Sequence, residues 1–419
     1  MGAARQNVIV VGAGLVGLAS ALYLLRDGHS VAVIDREPPL DGSSYRHACS
    51  YGNACTVAPQ SVVPVATPGI AWRVPGMLLN PLGPLAIRWS YLAALAPWLI
   101  GFVAASSKAE VERISTALSK LLSRADAAWR PLMQEAGAED LIAAHGCLYL
   151  YKSDAARAAS DRDAEFRTRH GVRLDRVTAD EIRALEPNLP PFYRGGLWFR
   201  DAYVISSPER LARLLARAIL ARGGRFVKAE ARDLSVSDGN VTIRVGEERL
   251  AADRLVIAAG AWSRTLAKQA GDEVQLDTER GYHVLFPEGR GLLTRPVCYT
   301  EHGFYMTPMA DGLRAAGTVE LGGLKAPLNK KRTEMIRNAV RTLMPAAGEG
   351  ASEWMGFRPS MPDSLPVIGS SVRSGRVIHA FGHGHLGLTM AGITGQLVSD
   401  LVADRPPGID LSPFHPRRR

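Results

Sequence analysis

Two groups of residues have the types and spacing to do chemistry. The first is Gly12-Ala13-Gly14-Leu15-Val16-Gly17, reached through the β-branched run Val8 to Val11. Gly12 permits a tight turn, Gly14 lets the main chain approach a pyrophosphate, and Gly17 allows close packing of helix on strand. The unpaired amides of a following helix, entered through Leu15 and Val16, then face the phosphates. A second apolar run, Ser30 to Ile34, ends at Asp35, whose carboxylate is spaced to accept hydrogen bonds from a ribose. Arg36 follows within reach of the same nucleotide, but an acid at position 35 repels a 2′-phosphate, which leaves FAD or NAD. The second group lies near the C-terminus: Gly356-Phe-Arg-Pro-Ser-Met-Pro-Asp363, then Gly382, Gly384 and Gly387 before a helix expected from about Thr389 to Val402. A glycine-rich turn at a helix start supplies donors and a positive dipole. With the phosphates already served, Gly384, His385, Leu386, Gly387, Leu388 and Thr389 are expected at the electron-rich edge of a flavin.

The elements that must position these groups are legible in outline. Val8 to Val11 reads as a buried strand and the pattern through Leu25 as a helix. The loop Asp41 to Gln60 is rich in small and polar residues, with Ser50 and Asn53 able to donate near the cofactor. Trp89 to Ala105 carries no charge but is short for a membrane span and is interrupted by Pro97. It is expected as a buried helix hairpin, or else as an interfacial patch bearing Trp89, Trp98 and Phe102. Ile114 to Glu135 has helical periodicity with Leu118, Leu121, Leu122, Ala125 and Trp129 on one side. Ser207 can cap a helix that begins with Pro208. Arg225 to Lys228 reads as a strand that brings Val227 to the cofactor. Leu255 to Gly260 repeats the strand-to-turn logic of the first motif, so that Ala259, Gly260 and Trp262 approach a second part of the same nucleotide, which favours FAD. Gln275 to Ala326 alternates as antiparallel strands forming one wall of a pocket. On them Tyr282, His283 and Tyr305 are candidates to fix an amine or adjust its protonation. Arg337 to Leu343 reads as a helix stopped by Pro345.

These motifs, taken in order, are similar to those of the D-amino-acid oxidase and glycine oxidase superfamily of flavoproteins, and most closely to the bacterial D-amino-acid dehydrogenase small-subunit group. The carriers are VGAGLVGLASALYL with Asp35, SYGNACTVAPQ, PLAIRW, ADRLVIAAGAW, the GFRPSMPD and LPVIG block, and GHGHLGLT. The resemblance implies an α/β protein with a discontinuous Rossmann-like FAD-binding domain (1–75, 201–270 and 356–419) and an α+β substrate domain built on a large mixed or antiparallel sheet (76–200 and 271–355). It also implies that Arg358 anchors a substrate carboxylate, for which a planar fork of donors suits better than a lysine. His385 stands where the eukaryotic oxidases have a glycine, which alters the pocket. No cysteine follows Cys298 to attach the flavin as in sarcosine-oxidase relatives, so non-covalent FAD is expected. The reaction implied is oxidation of a D-amino acid, with hydride passing from the α-carbon to the flavin and electrons going on to a quinone or other carrier. A D-proline or hydroxyproline dehydrogenase and an oxygen-using oxidase remain alternatives, and a flavin-containing RNA-modifying protein is one from another class.

Composition bounds these readings. A chain of 419 residues with 47% hydrophobic content has material for two domains and a sizeable core. Cys49, Cys55, Cys147 and Cys298 show neither paired nor metal-ligand spacing, so reduced thiols, no metal and a cytoplasmic setting are expected. The net charge of +9 is scattered, without interleaved aromatics that would point to nucleic acid. The terminal arginines and the apolar stretch are compatible with peripheral contact at the inner face of a membrane.

Overall fold

The computed structural model describes residues 4–43, 45–79, 83, 85–299 and 303–418. Pro84 of the PLAIRW motif, Thr300 to His302 of the pocket-wall run, and the terminal Arg419 lie outside the described residues.

The β-branched run forms the strand Asn7–Val11, buried over Val8 to Val11 and therefore apolar without alternation. It lies inside a six-stranded sheet in the order Val367–Ser370, Val377–Phe381, Arg254–Ile257, Asn7–Val11, Ser30–Asp35, Arg225–Lys228. Every pairing is parallel except that between the first two strands. Five strands therefore end at one edge, and the turns at Gly12, Asp35, Ala229, Ala258 and Gly382 meet there, where ligands of open α/β sheets bind. The helices Leu15–Arg26, Pro208–Ala221 and Gly387–Val402 pack on one face of this sheet, and a three-stranded antiparallel sheet (Ala231–Val236, Val241–Val245, Glu248–Ala252) shares its other core.

The second sheet has ten strands. Its path runs Ser352–Ser360, Asp277–Phe286, Gly312–Leu321, Phe304–Met309, Val297–Tyr299, Ile142–Tyr151, Gly195–Ile205, Thr56–Val57, with Leu85–Ile87 and Asp175–Thr178 added alongside. Most pairs are antiparallel, while two are parallel, so the sheet is mixed. Its outer face packs on the helix Lys330–Leu343, which starts seven residues before the expected Arg337 because Asn329 caps it by accepting from the Lys331 amide.

Between the sheets stand helices from the apolar region. Leu92–Ala104 buries Leu95, Trp98 and Phe102, and the Trp98 indole donates to the Ser360 carbonyl at 3.1 Å. Of the three residues of the interfacial alternative, only Trp89 is exposed. The single helix expected over Ile114 to Glu135 is two, Lys108–Leu122 and Ala125–Glu135, because their apolar faces enter different cores: Leu118 and Leu121 join Phe102, whereas Trp129 and Leu132 pack toward the first helix. Among the described residues no single helix is long and apolar enough to cross a membrane.

Candidate active site

A cavity of about 1050 Å³ runs from the first glycine turn to the large sheet. At its nucleotide end Gly12 adopts φ +111°, and a Cβ there would stand 2.3 Å from the Ala258 carbonyl oxygen, so the turn and the neighbouring strand meet only through glycine. A Cβ on Gly14 would have no protein atom within 4 Å beyond its chain neighbours, although the residue lines the cavity: the space beside it is open cleft. Asp35 accepts hydrogen bonds from the amides of Ala13 at 2.7 Å and Glu37 at 2.8 Å, which fixes the turn while the residue still borders the cleft. Arg36 stacks over the Trp262 ring at 4.7 Å, and Ala259 and Gly260 line the cleft beside them. Leu15, Val16, Ser50 and Asn53 also reach it.

At the other end the cavity is bounded by Gly384 to Leu388 and by strands of the large sheet, chiefly Asp277–Phe286, Gly312–Leu321 and Ser352–Ser360. Alternation along Asp277–Phe286 decides which side chains enter. Glu279 and Gly281 border the cleft, while Arg280 and Tyr282 point the other way to share the Glu320 carboxylate at 2.6 Å each. The Arg358 guanidinium lies across Gly281, where a Cβ would come within 2.5 Å of Cζ, and it touches the Thr318 carbonyl at 3.4 Å. Among the described residues Arg358 forms no ion pair, so its fork is presented to the cavity.

The electrostatics favour an anion. His385 is open to the cavity space, and enclosure by the surrounding walls, with the Arg358 charge adding to it, pushes it down to about 4, so the imidazole facing the cavity is neutral near pH 7. Burial lifts the Cys49 thiol to about 11 and raises the Tyr305 phenol well above its ordinary value. Tyr305 lines the cleft and shares a short hydrogen bond with Tyr149. Burial also raises the Glu279 carboxyl, and the Arg358 charge and Ser360 hydroxyl offset only part of that effect.

Five residues expected in the site lie elsewhere. Tyr282 faces the opposite side of its strand, as just described. His283 has the correct parity but is covered: its ring stacks on Trp354 at 5.3 Å and Nδ1 meets the Gly52 carbonyl at 3.0 Å. Thr389 is buried, and its hydroxyl accepts from the Ala58 amide at 3.0 Å, tying a loop to the C-terminal helix. Gly17 packs against the Gly12 carbonyl instead of lining the cavity. Val227 packs its side chain toward the core, and the wall beyond it is made by Lys228 to Asp233. Sequence reasoning passed over Glu279, Trp354 and Thr318. Glu279 was within reach, since strand alternation makes a charged residue two places from the wall glycine a cleft residue.

A cleft lined by a glycine turn at the edge of a mostly parallel sheet, opening onto a second sheet that presents Arg358, is the arrangement of a two-part nucleotide-binding protein. The chain belongs to the FAD dependent oxidoreductase family, whose model matches residues 7–401. It is 40% identical over 423 residues to a D-amino-acid oxidase of Bradyrhizobium diazoefficiens, with 99% of each chain covered. It is 32% identical to a D-amino acid dehydrogenase of Paramagnetospirillum magneticum, with 97% of each covered. Among solved structures, glycine oxidase from Geobacillus kaustophilus shares the fold at a TM-score of 0.75 and 21% identity, with 99% of both chains covered. The open cradle at Gly14, the turn fixed by Asp35 and the size of the cavity fit FAD. When bound, FAD supplies the two-electron acceptor that no side chain here provides.

Proposed function

We propose that the protein oxidises the carbon–nitrogen bond of a D-amino acid, with Arg358 holding the α-carboxylate. The observation that carries this is the Arg358 fork, laid over Gly281, in no ion pair among the described residues and facing the cavity. A bidentate guanidinium suits a carboxylate, and the relatives named D-amino-acid oxidase and D-amino acid dehydrogenase supply the substrate class. Gly12 to Asp35, Arg36, Gly260 and Trp262 hold the adenosine and phosphate end, and Gly384 to Leu388 the ring end, without a covalent link. The segments 1–75, 201–270 and 356–419 supply most of the cofactor domain, and 76–200 with 271–355 most of the substrate domain, whose sheet also takes Thr56–Val57 and the ends of Gly195–Ile205 and Ser352–Ser360 from the first set.

The electrons pass to a quinone or another carrier, and the protein docks peripherally on the inner face of the cell membrane. Trp72, Leu79, Trp89 and Ile100, all more than 60% exposed, come from one stretch of chain and support that contact. The test is anaerobic addition of D- and L-amino acids, both prolines and their hydroxylated forms included, to the FAD-loaded protein. Bleaching of the flavin by D-amino acids is expected. Bleaching by prolines alone selects a cyclic-amine dehydrogenase, and turnover with oxygen equal to that with a quinone selects an oxidase.

A further inference from the structure

We infer that Glu279 receives the amino end of the substrate and takes up its extra proton, so that one strand pair reads both charges of a zwitterion. The inference rests on the amino-acid reading above. Glu279 and Arg358 are directly opposed in the pairing of Asp277–Phe286 with Ser352–Ser360, and both line the cavity. The guanidinium does not close on the acid but lies over Gly281, two residues along the strand, and no ion pair joins the two groups among the described residues. Along the strand, positions 279 and 281 stand roughly 7 Å apart. An α-amino acid making a charge-assisted hydrogen bond of ~2.8 Å at each end fills this span.

Glu279 is 5% exposed. The titratable groups around it are few. Arg358 comes from the facing strand, Cys49 from the loop, and His383 and His385 from the glycine turn, with the Ser360 hydroxyl beside it. Burial holds His383 neutral, and enclosure by the cavity walls favours the neutral forms of His385, which is open to the cavity, and of the half-buried Cys49 thiol, so among the described residues Arg358 is the one fixed charge near the acid. The recess behind Glu279, lined by Val63, Val65 and Ser364, holds only about 10 Å³ and leaves no room for a second ligand. Burial favours the neutral form of an acid that has no ion pair, and an ammonium group arriving in the cavity supplies the partner that favours its ionised form. In the proton step, one N–H bond of the ammonium breaks and an O–H bond forms on Glu279; the pair left on nitrogen would form the C=N bond as the C–H pair leaves as hydride, for which bound FAD would be the two-electron acceptor.

The experiment compares Glu279→Gln with the parent, both loaded with FAD. Two ligands are used: the D-amino acid that bleaches the parent best, and propanoate, which has the carboxylate but no amine. In the variant, the amino acid should bind about tenfold weaker or worse, propanoate should bind within about twofold of the parent, and the pH dependence of bleaching should move up toward the titration of the substrate's own ammonium. Glu279→Asp should recover part of the loss. It also stands in if the glutamine form loses its FAD, with the amino acid again selectively weakened. Unchanged amino-acid binding and pH profile in the variant would overturn the assignment, as would equal losses for both ligands, which is the mark of a structural role. If no amino acid bleaches the parent, the amino-acid reading falls first and this inference with it.

Discussion

At the scale of single residues, the cavity separates side chains that shape the protein from those that meet a ligand. Loss of one partner from a buried charge-assisted pair costs about 2–5 kcal/mol, so Arg358→Ala should lower kcat/KM by at least about thirtyfold while FAD content stays at the parental level. Arg358→Lys should recover only part of this, because a point charge cannot reproduce the fork. The two glycines of the first turn make a contrasting pair. Gly14→Val should fold with a normal melting transition yet retain no flavin, because its Cβ enters only the open cleft. Gly12→Val should impair folding itself, since the side chain would strike the Ala258 carbonyl and force a positive φ on a β-branched residue. Burial also sets a pH dependence: His283 and His383 are held down to about 3, against an ordinary value of 6.5. The unfolded chain binds protons at these positions before the native one does. Stability is therefore fully present above about pH 6.5 and is lost as pH falls toward 3. Urea midpoints should drop between pH 7 and pH 5, and His383→Gln should flatten that slope.

Elements were legible wherever a local signal fixed them. Ser207 accepts from the Arg210 amide at 3.2 Å, with Pro208 opening the helix as its sequence implied. The alternation of Asp277–Phe286 was legible as a strand, but its parity was not, since Tyr282 and His283 are adjacent and cannot both face one side. What turns Tyr282 outward is a buried network behind the sheet. Glu320 accepts from Tyr282, Arg280 and, at 3.0 Å, Arg88. Burial raises the Glu320 carboxyl, but the hydrogen bonds of Tyr282, Asn329 and Arg88 outweigh it and leave the acid below its usual range. Glu320→Ala should destabilise the fold by about 3–5 kcal/mol in urea unfolding, because Arg280 stays buried without its carboxylate. The effect on flavin reduction should be smaller than that of Arg358→Ala, since the network lies on the far face of the wall.

At the scale of the whole molecule, the chain crosses repeatedly between its six-stranded and ten-stranded sheets, and the cavity lies where one edge of the first meets a face of the second. The exposed residues Trp72, Leu79, Trp89 and Ile100 belong to three helical elements, Ile70–Leu79, Trp89–Tyr91 and Leu92–Ala104, and none of them lines that cavity. A protein docking there on lipid should co-sediment with vesicles of bacterial phospholipid. Trp72→Ser combined with Trp89→Ser should reduce that binding severalfold while leaving anaerobic bleaching by substrate unchanged. Equal sedimentation of parent and variant would remove this surface as the membrane contact.

By itself the sequence determined the nucleotide cleft, because its parts are contiguous: strand, glycine turn, helix and acid fall within Val8 to Asp35, and main-chain geometry forces them together. It likewise determined the turn from Gly382 to Gly387, whose glycines take positive φ at 382 and 384. Only the tertiary structure decided which face of Asp277–Phe286 borders the cavity, that Glu279 stands opposite Arg358, and that Thr389 serves the Ala58 amide instead of a ligand. Those facts depend on strand register and on partners as much as 331 residues apart, and a one-residue shift of register reverses every side chain on a strand.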